Sequence, residues 1–98
     1  LRYRTIDAIK WGYPIVAESS PFAGDAQATV GNRQENITIA SSHVYTVAEA
    51  DENGVTLINP WGHNDLSGRN VTTPEAAFTI SWDEFYANYG DITIGTIP

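Results

Sequence analysis

Apolar and polar positions alternate most regularly in the middle of the chain. Ile37, Ile39, Ser41, His43, Tyr45 and Val47 fall on one face of what this period predicts as one continuous strand. Asp51-Glu-Asn-Gly54 supplies turn chemistry, and Val55-Thr-Leu-Ile returns as a second strand. The stretch 43–62 therefore reads as a hairpin that a histidine opens and Asn59 closes, with Pro60, Trp61 and Gly62 directly after it.

The flanks give weaker signals. Ile6, Ile9 and Lys10 lie at helical spacing with Trp11 beside them, and Gly12 is placed to end a short helix. Residues 13–18 predict a strand, with Pro14 suggesting an edge or a first position. Ser19 to Glu35, rich in Ser, Gly, Asn and Pro, reads as one long loop, and residues 63–76 as a second polar loop. Phe78-Thr-Ile80 predicts a short strand. Ser81-Trp-Asp-Glu84 has the form of a capping box, with Ile80 and Phe85 placed as a hydrophobic staple across it. Trp82, Phe85 and Tyr89 share one face of the helix that follows, Gly90 ends it, and residues 91–97 form a last strand.

Composition narrows the partners. Hydrophobic residues make up 42% of the 98, enough for the core of one small domain spanning 1–98. The net charge of −7 repels phosphate and argues against nucleic acid. No apolar run approaches the ~20 residues of a membrane helix. Without cysteine, disulfides and thiolate metal sites are excluded, which leaves the compartment unassigned. Asn36-Ile-Thr38 and Asn70-Val-Thr72 match the glycosylation acceptor pattern, which chance explains in a chain rich in Asn and Thr. The opening Leu1-Arg-Tyr-Arg resembles mid-helix sequence and predicts a fragment or processed product.

The His43…Asn59-Pro-Trp-Gly62 arrangement resembles the histidine and asparagine half of papain-like cysteine proteases, and its ending is most similar to the calpain branch. Phe78-Thr-Ile-Ser-Trp-Asp-Glu-Phe85 also matches that family's strand, serine cap and acidic-aromatic helix. The resemblance implies an α+β, β-rich fold, a twisted antiparallel sheet or half-barrel with two short helices, the right-hand subdomain of the papain-like fold. It implies that His43 is the general base of a Cys-His-Asn triad, that Asn59 orients its ring, and that Trp61 covers their contact. A thiolate–imidazolium pair is nucleophilic at neutral pH, so a neutral amide suffices as the third member. The family's cysteine and oxyanion glutamine lie N-terminal to this half, so the chain alone is expected to be inert. Its expected partners are the cysteine-bearing half, a second copy, and a peptide substrate. Calpains bind calcium near the strand equivalent to 78–80; Pro74-Glu-Ala-Ala77 leaves Glu75 as the one candidate ligand there, so no cofactor is expected.

Without that resemblance, each residue has an ordinary reading. A histidine on a strand is commonly structural, Asn59 before Pro60 is turn chemistry, and Trp61 is a core aromatic. His63, Asn64 and Asp65 can ligate a metal but read better as a solvated loop. Asp51, Glu52 and Asp83 read as turn and helix-start acids. The alternatives to a protease half are a non-catalytic binding or structural module on the same scaffold and a transglutaminase-like acyltransferase. The latter usually has an aspartate at the position of Asn59.

The hairpin carries an internal conflict. A tight Asn53-Gly54 turn would set Asn59 opposite Ala48, on the face away from His43. If the pair meets, a longer loop around Asp51 or a bulge is required, with Gly54 at positive φ.

Overall fold

The computed structural model describes residues 2–95. Eight strands form one open antiparallel sheet, joined by two short helices. In chain order these are α1 (Arg2–Lys10), β1 (Ile15–Ser19), β2 (Asp25–Val30), β3 (Arg33–Thr38), β4 (Val44–Ala50), β5 (Val55–Ile58), β6 (Asp65–Leu66), β7 (Ala77–Ile80), α2 (Trp82–Asn88) and β8 (Tyr89–Ile94). Across the sheet they run β6-β3-β2-β7-β5-β4-β1-β8. The α+β, strand-rich character with two helices is as expected.

Alternation decides which side is core. Ile15 and Ala17, Ala26 and Ala28, Tyr45 and Val47, Val55 and Leu57, and Phe78 and Ile80 are all buried, whereas their strand neighbours face outward or lie half-buried. Trp82 and Phe85 of α2 and Ile6 and Ala8 of α1 complete this cluster. Phe85 stacks on Tyr89 with centroids 4.7 Å apart, and Tyr45 meets Tyr89 edge-on at 5.5 Å.

The helices end as their local chemistry requires. Gly12 (φ 76) closes α1: its amide donates to Ile9 O, and that of Tyr13 to Ala8 O. Trp11 does not join the core and is exposed. Ser81 caps α2 by accepting the Glu84 amide at 3.1 Å. The reciprocal half of the capping box is absent. The Glu84 carboxylate accepts the Gln27 amide at 2.8 Å instead, tying α2 to β2. Gly90 does not end this helix; the chain turns extended at Tyr89, which begins β8. Residues 96 and 97 of the predicted last strand lie outside the described residues.

Two predicted segments are corrected. Ser19–Glu35 is not a long loop. It holds β2 and much of β3, a hairpin whose Val30 faces Arg33 across the two-residue turn Gly31-Asn32. Gly31 takes φ 64 there, which a first turn position of this kind demands. Nor do residues 37–47 form one strand. The chain breaks between Thr38 and Val44, with Ser42 at φ 49. β1 is not an edge either, since it pairs with both β4 and β8, and Pro14 sits just before it. The polar stretch 63–76 contains the short strand β6, paired to β3.

The β4–β5 hairpin resolves its register with both of the expected devices. Ala50 faces Val55 across the four-residue loop Asp51–Gly54, and Asp51 Oδ1 accepts the amides of Asn53 and Gly54 at 2.8 and 3.0 Å. A bulge then adds Ala48 between Val47 and Glu49. Gly54, however, is not at positive φ. Its constraint is space, because a Cβ there would lie 2.5 Å from Ile80 O. Gly54→Ala should therefore cost about 1–3 kcal/mol, as overpacking does. Urea unfolding should show a lowered midpoint at unchanged slope.

Candidate functional site

The bulge has one decisive consequence. Beyond the loop Glu49 faces Thr56, and that register continued would set Asn59 beside Thr46, on the outer face. After the bulge Thr46 faces Ile58, so the next pair brings Asn59 beside Tyr45. Asn59 thus shares the core face with Tyr45 and, two residues earlier, His43. The His43 Nε2 and Asn59 Oδ1 atoms are 3.0 Å apart.

His43 is held from its backbone. It stands just before β4, not within it. The buried Ser19 hydroxyl accepts the His43 amide at 2.9 Å and donates to the Ala40 carbonyl. Ser19 N donates to His43 O at 2.9 Å, and Ser42 N to Ser20 O at 3.2 Å. These bonds hold Ser42 left-handed, a conformation that costs a non-glycine residue about 1–3 kcal/mol and is stored where surrounding structure fixes it. The buried Tyr45 ring supports the imidazole edge-on at 4.9 Å, and its hydroxyl accepts the Ala40 amide. Burial pushes the Tyr45 phenol up, and the charge of Asp65 adds to this.

A chain of buried amides orients the other side. The Asn64 side-chain nitrogen donates to the carbonyls of Glu75 and Ala76, at 3.1 and 3.0 Å. That fixes Asn64 Oδ1 toward Asn59, whose Nδ2 lies 3.4 Å away as donor. Asn59 Oδ1 must then face the other way, where it accepts the Trp61 amide at 3.0 Å. An acceptor oxygen opposite His43 Nε2 requires the proton on Nε2. The neutral ring therefore keeps its free lone pair on Nδ1, which makes no hydrogen bond to any described residue.

Trp61 lies over the ring, with centroids 4.2 Å apart and planes tilted by 33°. It is no core aromatic, being 54% exposed, so it shields one face of the imidazole and leaves its own far face to solvent. His63 stands beyond it at 6.3 Å. His43, Asn59 and Trp61 are thus brought together as expected.

Other expected roles change. Asn64 is not part of a solvated loop; it is buried, and its amide donates to the two carbonyls. Thr73 joins it, its hydroxyl accepting the Asn64 amide and donating to Glu75 O. Neither they nor Ser19 stand out in the sequence, where each is one polar residue in a polar stretch. Glu75 forms a bidentate pair with Arg33 at 3.0 and 3.1 Å. This hydrogen bonding holds the Glu75 carboxyl below its ordinary range and raises Arg33. No cluster of three His, Cys, Asp or Glu side chains suited to a metal occurs among the described residues.

No family model, curated protein or solved structure matches this chain.

The amide chain predicts that His43 is the Nε2–H tautomer, checked by the nitrogen chemical shifts of its ring. Asn64→Asp, which sets an acceptor oxygen against two carbonyls and loses both hydrogen bonds, should cost about 1–3 kcal/mol and should weaken that tautomer preference. Hard cations need about six to eight oxygen ligands, and both Glu75 oxygens are occupied by Arg33. Calorimetric titration with calcium should accordingly show no micromolar binding, and Glu75→Ala should leave the heats unchanged.

Proposed function

We propose that this chain is the C-terminal half of a calpain-like cysteine endopeptidase, the right-hand, β-rich subdomain of a papain-like fold. The observation that supports this best is the orientation of His43 by Asn59, with the proton on Nε2 and Nδ1 open. A base needs its lone pair toward the nucleophile and its other nitrogen held.

In this reading a cysteine outside these 98 residues faces Nδ1. His43 takes the thiol proton, and the thiolate attacks the scissile carbonyl carbon. When the tetrahedral intermediate collapses, the C–N bond breaks, and the imidazolium protonates the leaving amine, which departs from a thioester. Nδ1 then accepts a proton from water as it attacks the thioester, releasing the acid and restoring the thiol. Asn59 holds the ring through both steps without adding charge. Trp61 keeps water off one face of the pair.

The lack of cysteine in the 98 residues supports a second reading, a non-catalytic module that kept the scaffold. The chain by itself should hydrolyse no peptide, with or without calcium. Activity that disappears in His43→Ala would require a nucleophile within the chain, and the exposed hydroxyls of Ser41 and Ser42 would be the first to test. The decisive experiment uses the parent protein. If it carries a cysteine that an electrophilic peptidyl inhibitor labels, His43→Ala should lower kcat by about a hundred- to ten-thousand-fold. Asn59→Ala should lower it less. A parent protein with no labelled cysteine and no activity would favour the module.

A further inference from the structure

The open sheet has two ends. At one, β6 is only two residues long; at the other, β8 pairs with β1 alone among the described residues. The direction of each backbone group in β8 follows from two hydrogen bonds. Gly95 N donates to Pro14 O at 2.8 Å, so Gly95 points toward β1. Antiparallel alternation then turns Thr93 and Asp91 toward β1, and Ile92 and Ile94 away from it. The other side of β1 agrees. Ser19 N reaches His43 O before β4, so odd residues of β1 face β4 and even ones face β8, where Val16 meets Thr93 and Glu18 meets Asp91.

The N–H and C=O groups of Ile92 and Ile94 therefore form a rim with no partner among the described residues. Their side chains lie on the core face, beside Ala17 and Ile15, and are only half-buried against the cluster. Natural edges are blunted with Lys, Pro, short strands or bulges. β8 has neither Lys nor Pro, and its one irregularity is opposite Glu18/Ser19, which leaves Asp91–Ile94 regular.

We propose that this rim is an interaction surface for a second copy of the chain, the two β8 strands pairing antiparallel across a two-fold axis into one continuous sheet. The strand is self-complementary in the way an isologous contact needs. With the axis at Ile92 or at Thr93, both isoleucine backbones find partners, and Asp91 stands opposite Thr93 or Gly95 of the other copy. An axis at Asp91 would oppose two carboxylates and is disfavoured. Pairing also sets the half-buried isoleucines of the two copies against one another, extending the core across the junction. The net charge of −7 on each copy opposes association, so added salt strengthens it. No residue of the His43 site takes part, and the proposal stands without the protease reading.

Sedimentation velocity and amide exchange on the 98-residue chain test it together. On concentrating the sample at moderate salt, the mass should double. Exchange at the Ile92 and Ile94 amides should slow by about tenfold or more, while Asp91 and Thr93, already bonded to β1, stay slow throughout. Ile92→Lys, an inward charge at the edge, should remain folded and monomeric. If that variant fails to fold, the exchange pattern of the unmodified chain still decides. A chain that stays monomeric when concentrated would overturn the proposal. So would a dimer whose Ile92 and Ile94 amides still exchange fast.

Discussion

Two main-chain carbonyls, those of Glu75 and Ala76, set the direction of the side-chain amides at the His43 site. A buried carboxamide cannot be turned round at will. Reversing Asn64 would aim its oxygen at both carbonyls, acceptor against acceptor, and forfeit two hydrogen bonds, each worth about 0.5–1.5 kcal/mol. The reversal would also oppose Asn64 Nδ2 to Asn59 Nδ2, donor against donor. The preference therefore passes along the chain of amides to His43 Nε2, and low local polarity strengthens each member. A ring tautomer is in this way determined by backbone atoms in the approach to β7.

The same site depends on backbone irregularities that a regular hairpin would not supply. Ala48 at the bulge changes the face on which Asn59 emerges, and the left-handed Ser42 turns the chain into β4 at His43. Each is held from outside its own strand. Ser19 on β1 fixes the loop that ends in His43, and Trp82 Nε1 donates to Asp51 O at 2.6 Å, tying α2 to the far end of the hairpin. Gly54 allows that end to lie against Ile80 O. The imidazole and the amide meet because three separate elements clamp the hairpin that carries them.

What was legible in the sequence follows from which signals are local. The hairpin, the helix end at Gly12 and the serine cap at Ser81 are each written in a few adjacent residues, and all are present. The requirement that His43 and Asn59 share a face was also readable, because parity is arithmetic. The place of the extra residue was not, since Ala48 has no signature that distinguishes a bulge from a strand. The β2–β3 hairpin escaped for a related reason. Its inward positions include Ala26 and Ala28, residues poor in strand propensity. Both are buried all the same, and only Gly31-Asn32 signalled the turn. Asn64 was hidden because burial of a polar side chain depends on partners contributed by residues 73–76. No local pattern encodes those partners.

Fixing the proton on Nε2 has a chemical consequence that bears on the proposed function. An aspartate in place of Asn59 would orient the ring equally well but would add a charge. The neutral amide holds the ring without adding net charge. Here one nitrogen is clamped through several buried groups, while the other makes no hydrogen bond to a described residue. That asymmetry is the feature on which the proposed protease reading rests.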